Sequence, residues 1–285
     1  FFFHPHAANR DPLWSRGLGD VYKRQLLGSY GNRWVNMAIS QCDFLLVLGS
    51  RLDVRQTGAD TADFKGNRTI YHVDCEPGEL NNRITGCSTL ISELSTFLEY
   101  ATSCASPASE IGEWRATIDS LRNAWPDTAE LADMEGINPN AFMHQLSDIS
   151  SLAAAYVVDV GQHQMWAAQS IDPAANQRYL TSGGMGAMGF ALPTGIGAAF
   201  ASGEPVVVIA GDGGFQLNIQ ELQTIARNKL PIKMIVINNH CHGMVRQFQD
   251  SYFKGRVQST VWGLSLIHIS EPTRPERIAD AVFSV

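Results

Sequence analysis

The stretch Val206-Val207-Val208-Ile209-Ala210-Gly211-Asp212-Gly213-Gly214 decides the fold, because a strand-like apolar run ends in an aspartate flanked by glycines. A second apolar run, residues 232–237, ends in Asn238-Asn239, and a helix-like stretch lies between the two runs. Strands that alternate with helices predict a parallel, doubly wound sheet. Such a unit delivers the side chains of Asp212 and Asn239 to the same edge of the sheet.

Oxygen-bearing side chains next to glycines at a strand end are typical of a site for a metal-bound diphosphate. Magnesium prefers oxygen ligands and is usually shared with phosphate groups. Gly213 and Gly214 would let the backbone approach the phosphates and direct N–H groups at them. The alternative for Asp212 alone is a helix N-cap, but that role does not account for the paired asparagines.

Three blocks, in order, resemble the thiamine diphosphate-dependent enzymes, and among these the acetolactate synthase large-subunit family. The first is VGQHQMWAAQ at 160–169, and the second is TSGGMGAMGF at 181–190. The third is the GDG…NN signature, in which Asn239 follows Asp212 by 27 residues. The resemblance extends over about residues 26–263 and is densest at about 157–250.

The chain of 285 residues, 45% of them hydrophobic, is long enough for two domains. The fold class implied is α/β, with two doubly wound parallel-sheet domains. We expect a partial central domain at 26–103, a linker at 104–137 and a truncated thiamine diphosphate- and magnesium-binding domain at 138–263. Helices are predicted at 32–41, 91–100, 140–148, 186–200 and 218–228, and strands at 43–49, 68–74, 156–160, 205–210 and 232–237.

Both ends of the chain break this pattern. Residues 1–25 and 264–285 resemble translated sequencing-adapter segments, and we predict that they are non-native tails, to be left out of fold reasoning. A signal peptide or metal-binding tract at Phe1-Phe2-Phe3 is disfavoured. The polypeptide is therefore expected to be a fragment.

Composition restricts the class of protein further. The net charge of −7 disfavours nucleic acid as a partner. No apolar run approaches the roughly 18 residues expected of a membrane-spanning helix. The five cysteines are scattered without a CxxC pair, which indicates a reducing cytoplasm rather than zinc or disulfide chemistry.

The resemblance implies a metal site in which Asp212 binds Mg²⁺ through its carboxylate and Asn239 through its side-chain oxygen. Cys241 would bind it through its backbone carbonyl, and its thiol has no assigned role. The loop over the diphosphate would comprise Gly161, Gln162 and His163.

The resemblance also implies contacts to the two rings of the cofactor. The apolar side chain of Met188 would lie between the rings and hold them in a bent conformation, although filling the core is the alternative for a methionine. The carbonyl of Gly186 would accept a hydrogen bond from the pyrimidine amino group. Gly243 and Met244 would pack around the rings.

The implied activity is decarboxylation of a 2-oxo acid such as pyruvate, followed by transfer of the remainder to a second carbonyl. In this family, a glutamate of an N-terminal domain activates the cofactor across a subunit interface. No glutamate here occupies that motif, so no catalytic residue is assigned. We expect this chain alone to bind the cofactor weakly and not to turn over; robust pyruvate consumption would contradict that.

Two further features bear on a second cofactor and on the substrate. The stretch 49–58 resembles the FAD-binding segment of the anabolic enzymes, with Arg51, Arg55 and Asp74 as candidate contacts and residues 27–31 as another piece. A set of surface salt bridges is the alternative. Phe248 stands where many relatives carry a tryptophan lining the acceptor pocket, which leaves the acceptor substrate open.

Rival interpretations stay open from the sequence. One is another thiamine diphosphate enzyme, such as an oxo-acid decarboxylase or a glyoxylate carboligase, and another is a non-catalytic regulatory homologue. Residues 184–189 also match the GxGxxG pattern of nicotinamide-binding oxidoreductases. However, the acidic residue that such a motif needs about 20 residues further along the chain is absent. For the full-length protein, the resemblance implies a homodimer or homotetramer, a small regulatory subunit and a place in branched-chain amino acid biosynthesis.

Overall fold

The protein forms two compact units, each built on its own parallel sheet. The computed structural model describes residues 26–104, 111–133, 135–261 and the backbone of 282–284. The units divide after residue 130. The two parallel sheets confirm the α/β class. The predicted tails at 1–25 and 264–285 lie outside the described residues, apart from the strand at 282–284.

The first unit contains three parallel strands in the order β1-β2-β3. A short 3-10 helix, Pro77–Glu79, follows β2. The helix predicted at 91–100 starts later, because Ile91 is the last residue of β3, a strand that the sequence analysis missed. The elements in chain order are α1 (Arg33–Gln41), β1 (Phe44–Leu48), α2 (Val54–Thr57), α3 (Thr61–Lys65), β2 (Thr69–Asp74), β3 (Ser88–Ile91), α4 (Leu94–Cys104) and α5 (Gly112–Ala124).

Within the described residues, one face of this first sheet is covered and the other is largely exposed. Side chains alternate between the two faces of a strand, and the covered face carries a core of Val47, Ile70 and their neighbours. The other face exposes between 42% and 52% of four large apolar side chains: Phe44, Leu46, Tyr71 and Leu90. The prediction that 43–49 is a buried strand is therefore correct for the strand and wrong for the burial of this face.

Helix α5 lies in the segment that was predicted as a linker, and it packs against α1. Ile118 of α5 is buried together with Trp34 and Ala38 of α1. The guanidinium of Arg33 lies 3.7 Å from the centre of the Trp125 ring, a cation–π contact. Residues 112–124 thus contribute to the core of the first unit.

The second unit contains five parallel strands in the order β5-β4-β6-β7-β8. Its first helix starts at Pro139, one residue before the predicted start at 140, and the Asn138 side chain caps it by accepting a hydrogen bond from the Ala141 N–H. The elements are α6 (Pro139–Ile149), β4 (Ala155–Val158), α7 (Gln162–Ser170), β5 (Arg178–Thr181), α8 (Ala191–Ser202), β6 (Val206–Gly211), α9 (Asp212–Leu217), α10 (Leu222–Asn228), β7 (Ile232–Asn238), α11 (Gly243–Tyr252) and β8 (Val282–Ser284).

Strand β6 is the centre of this sheet and is buried along its whole length. Its side chains contribute to a core on each face, which explains why its sequence is continuously apolar rather than alternating. Helix α8 packs closely on it, because Gly195 has no side chain to hold it away from Val208. The strand therefore delivers Asp212 from a rigid, fully packed element.

Two helix predictions in this unit need correction, and some elements were missed. The helix predicted at 186–200 starts at residue 191, because Gly186 and Gly189 adopt φ angles of +68° and +81° that a helix excludes. The helix predicted at 218–228 is α10, preceded by a 3-10 turn and by α9, which starts at Asp212. Helix α7 and strand β5 were missed. Among the described residues, no helix has the length and hydrophobicity to cross a bilayer.

Candidate cofactor site

The order of the strands creates a crevice at the carboxyl ends of β4 and β6. The chain runs from β4 outward to β5, crosses back to β6, and continues outward in the other direction to β7. Open α/β sheets bind ligands at such a switch point, outside the carboxyl ends of the strands. The predicted diphosphate loop at 161–163 follows β4, and the predicted metal ligand Asp212 follows β6.

The predicted metal ligands follow the ends of two neighbouring strands, β6 and β7. Gly211 pairs with Ile237 in the parallel ladder, so Asp212 and Asn239 follow neighbouring strand ends about 4.8 Å apart. The helix N-cap is Gly211 and makes no side-chain capping bond. The alternative for Asp212 as an N-cap is therefore wrong.

The turn after β7 is shaped by both asparagines. Oδ1 of Asn238 accepts a hydrogen bond from the His240 N–H at 3.1 Å, and Oδ1 of Asn239 accepts one from the Cys241 N–H at 3.2 Å. The two bonds stabilise His240 at a φ of +55°, in the left-handed region that asparagine turns favour. This turn brings the Asn239 side chain and the Cys241 backbone to the end of the sheet.

Gln162 connects this turn to the end of β4. Its Oε1 accepts a hydrogen bond from Nδ2 of Asn239 at 3.0 Å. A β-carbon at Gly243 would overlap this Oε1 and lie 2.8 Å from Nδ2 of Asn239. The structure thus brings three predicted site residues, Gln162, Asn239 and Gly243, into one contact.

His163 is buried between the glycines of two loops. A β-carbon at Gly161 would lie 2.7 Å from its Cε1, and one at Gly211 would lie 3.1 Å from it. Burial lowers the pKa of His163 to about 4, against a smaller opposing effect of a hydrogen bond with the Asp159 backbone. The imidazole is therefore neutral at pH 7, and its Nε2 is buried without a hydrogen-bond partner.

The Cys241 side chain lies close to two charged groups. Burial raises the pKa of its thiol, the Arg246 side chain lowers it through a hydrogen bond and its charge, and the Asp212 carboxylate raises it further. The thiol is thus protonated at neutral pH and is a poor metal ligand, since thiolate is the ligating form. This fits the expectation that Cys241 contributes through its backbone.

Asp159 is a site residue that the sequence analysis missed. Only 1% of it is exposed, and its carboxylate accepts hydrogen bonds from the N–H groups of Val160 at 2.7 Å, Gly189 at 2.9 Å and Ala191 at 3.1 Å. Burial raises the pKa of Asp159, and these three bonds oppose the rise. The available signal was an aspartate at the end of an apolar run, the same pattern that identified Asp212.

The glycine-rich loop between β5 and α8 carries Gly186 and Met188. The N–H of Gly186 donates to the carbonyl of Ser182 at 2.9 Å. The Met188 side chain is 36% exposed. It is therefore not a core residue, contrary to the alternative weighed for it.

Helix α11 carries Met244 and Phe248. The Phe248 ring is 54% exposed and packs against the rings of Tyr252 and Phe253, with centroid distances of 4.7 Å and 5.8 Å. With about half of its surface exposed in the described part of the chain, Phe248 is accessible to a small molecule.

The predicted flavin residues lie in the first unit. The guanidinium of Arg51 pairs with Glu79 at 3.4 Å, as the surface salt-bridge alternative expected. The N–H of Ser29 donates to the carbonyl of Arg55 at 2.7 Å, which brings the two candidate flavin segments together. Asp74 ends β2 and accepts a hydrogen bond from the Glu76 N–H at 2.9 Å.

Arg83 is a further residue of this region that the sequence analysis missed. Its guanidinium donates to Oγ1 of Thr57 at 3.0 Å and to the carbonyl of Gly58 at 2.6 Å. It thereby fixes the end of the 49–58 segment. An isolated arginine beyond a helix gives no pattern that could have revealed this role.

The donor set at the switch point suits Mg²⁺ rather than zinc. It offers one carboxylate, one amide oxygen and one backbone carbonyl, which are hard oxygen ligands that leave positions for phosphate oxygens. In the described part of the chain, no three His, Cys, Asp or Glu side chains are grouped to hold a metal. A β-carbon at Gly243 would overlap Gln162, and one at Gly211 or Gly214 would crowd its neighbours, so the residues present fit a metal–diphosphate group.

Comparison with known proteins agrees with this geometry. Residues 159–282 match the C-terminal TPP-binding domain of the thiamine pyrophosphate enzymes, and residues 20–100 match their central domain. The first match extends into the segment predicted as a non-native tail.

Several relatives are acetolactate synthase large subunits. The isozyme 2 large subunit of Escherichia coli (strain K12) is 35% identical over 257 residues, which cover 86% of this chain and 45% of that protein. The large subunit of Pyropia yezoensis is 38% identical, covering 81% and 40%, and that of Lactococcus lactis is 34% identical, covering 83% and 41%. The chain spans less than half the length of these relatives. With both of its units matched, the chain belongs to the thiamine pyrophosphate enzyme family.

Proposed function

We propose that this chain forms part of a transferase that decarboxylates a 2-oxo acid, such as pyruvate, and joins the remainder to a second carbonyl, as in acetolactate synthase. The observation that carries the proposal is the convergence of Gln162, Asp212 and Asn239 at the switch point of a sheet that matches a TPP-binding domain.

The chain's own residues would bind and orient the cofactor. Asp212, Asn239 and the Cys241 carbonyl would hold Mg²⁺, and the metal would anchor the diphosphate. Gly161, Gln162, His163, Gly213 and Gly214 would form the surrounding cradle; the last two lie in the first turn of α9.

The ring end would be set by other residues: Gly186, Met188, Gly243 and Met244. Thiamine diphosphate supplies a cationic ring that accepts the electrons released when carbon dioxide leaves the 2-oxo acid. The exposed Phe248 ring would contact the acceptor substrate, and the difference from the tryptophan of many relatives would tune which acceptor is taken.

Isothermal titration calorimetry tests the cofactor assignment. Thiamine diphosphate should bind the chain only with Mg²⁺ present, and NAD should give no heat. Heat with NAD but not with thiamine diphosphate would overturn the proposal. Product analysis of the full-length parent then separates acetolactate formation from simple decarboxylation or glyoxylate carboligation.

One observation argues against the nicotinamide alternative. In a dinucleotide-binding unit, the strand before the glycine motif and the strand after its helix are neighbours. Here the motif at 184–189 follows β5, and the next strand, β6, is separated from β5 by β4. The glycine loop is therefore not part of such a unit.

We further propose an FAD site in the first unit, formed by Arg51, Arg55 and Asp74 with residues 27–31. The contact between Ser29 and Arg55 supports it. In the full-length protein we propose a homodimer or homotetramer, a small regulatory subunit, as the relatives' name of large subunit suggests, and a role in branched-chain amino acid biosynthesis. The five free cysteines support a cytoplasmic location.

A further inference from the structure

We propose that Asp159 and Asn218 are positioning residues that together fix the loop carrying Met188, and so set how the cofactor's two rings are bent. The inference rests on the proposed function, because it assigns Met188 to the cofactor. It concerns two residues outside the predicted cradle, and it explains how an exposed loop could hold a defined position.

Gly189, the residue after Met188, is held from both sides. Its N–H donates to Oδ1 of Asp159 at 2.9 Å, and its carbonyl accepts a hydrogen bond from Nδ2 of Asn218 at 2.6 Å. One peptide residue thus spans from the end of β4 to the turn after α9. Its backbone cannot shift without breaking one of the two bonds.

The conformation of Gly189 makes this arrangement specific. Its φ of +81° lies in the left-handed region that favours glycine. A β-carbon there would also lie 2.8 Å from Nδ2 of Asn218. The chain thus reverses sharply just after Met188, at the point where both bonds hold it.

The carboxylate of Asp159 also lies beside the first turn of α9, the helix that follows β6. A β-carbon at Gly214 would lie 3.0 Å from Oδ1 of Asp159. Gly214 is one of the residues proposed to cradle the diphosphate. Asp159 therefore lies between the diphosphate end and the ring end of the proposed site. The Asn218 side chain instead donates to the ring-side loop at Gly189, and its Oδ1 accepts from the neighbouring Gln220.

This difference gives a test that separates the two ends. Calorimetry on the 285-residue chain would compare thiamine diphosphate with inorganic pyrophosphate, each with Mg²⁺, in the wild type and in Asn218→Ala. Loss of one hydrogen bond to the loop should weaken thiamine diphosphate binding about fivefold to tenfold. Pyrophosphate binding should change less than about twofold, because it does not engage the ring-side loop.

Asn228→Ala is the matched control, since Asn228 also donates through Nδ2 to a backbone carbonyl, that of Thr224 at 2.8 Å, on the exposed helix α10. It should leave both affinities unchanged. In a Met188→Ala background, Asn218→Ala should cause no additional loss, because its effect passes through Met188. Asp159→Asn should weaken both ligands.

The possible outcomes are distinct. Equal weakening of both ligands by Asn218→Ala, or no effect on either, would overturn the positioning role. An undiminished effect of Asn218→Ala in the Met188→Ala background would overturn the route through Met188. If the wild type binds neither ligand, the proposed function itself fails.

Discussion

The side-chain amide of Asn239 donates a hydrogen bond to Oε1 of Gln162 at 3.0 Å, across 77 residues of sequence. Because Oδ1 of Asn239 also accepts from the Cys241 N–H, both ends of this amide are assigned. An asparagine held in this way presents its oxygen, the atom that Mg²⁺ prefers, in a fixed direction.

Gly243→Ala should disrupt this arrangement. The added methyl group would overlap Oε1 of Gln162 and press on Asn239. We expect thiamine diphosphate to bind about tenfold more weakly in the presence of Mg²⁺, as is typical when the partner of a metal ligand is lost. Calorimetry measures this. Gly197→Ala, with no atom within 4 Å of the new β-carbon, is the control.

Asp212→Asn should weaken the Mg²⁺-dependent binding of thiamine diphosphate more than about tenfold. The substitution retains an oxygen but removes the negative charge that would bind the metal. Asp148→Asn, at an exposed position of α6, should have no effect. Unchanged affinity in Asp212→Asn would remove this residue from the proposed metal site.

Alanine substitutions at two glycines of helix α8 should change the free energy of unfolding in opposite directions. At Gly195 a methyl group would overlap Val208 of β6, and such overpacking costs about 1–3 kcal/mol. At Gly197 the same substitution meets no neighbour and should stabilise the helix by up to about 1 kcal/mol. Denaturant titration of both variants measures the difference; equal free energies of unfolding would contradict the close contact of α8 with β6.

His163 should make the free energy of unfolding depend on pH. Burial lowers its pKa to about 4 from the usual 6.5, so between these values the unfolded chain binds a proton that the folded chain does not. Stability should therefore fall as pH drops from 6.5 towards 4, by about 3 kcal/mol in total, with no contribution from this residue above that window. Denaturant titrations across this range should show that His163→Gln lacks this part of the slope. If the unfolding free energy of His163→Gln has the same pH dependence as that of the wild type, the pKa of His163 is not lowered in the folded state.

If Arg55 contacts a phosphate of FAD, Arg55→Gln should weaken FAD binding about tenfold. Quenching of flavin fluorescence measures the affinity. Arg256→Gln in the second unit, whose side chain is exposed, is the control. Failure of the wild-type chain to bind FAD would remove the flavin site from the proposal.

Elements with strong local signals could be predicted from the sequence. The run Val206–Gly211 identified β6 because a strand buried on both faces needs continuous apolar residues, and the helix predicted at 140–148 matches α6 to within one residue at each end. Contacts between distant segments could not be predicted. The bond from Asn218 to Gly189 leaves no local pattern. Asp159 ends an apolar run, but the hydrogen bonds that it accepts from Gly189 and Ala191 depend on how the strands are ordered.

The prediction that strand 43–49 is buried was wrong on one face for a related reason. The apolar residues of β1 indicate a strand that can be covered on both faces, but the sequence does not specify whether a covering layer is present. Phe44 and Leu46 are therefore half exposed although their sequence is that of a core.

The carboxylate of Asp159 is shared between Gly189 and Gly214, so these positions are not free to change one at a time. A side chain gained at 214 would require the carboxylate to shift by a few tenths of an ångström, and the bond that it accepts from Gly189 would shift with it. Across relatives, substitutions at 159, 189, 214 and 218 should consequently be rare and correlated, and a redesign of ring-side specificity would have to alter these positions together.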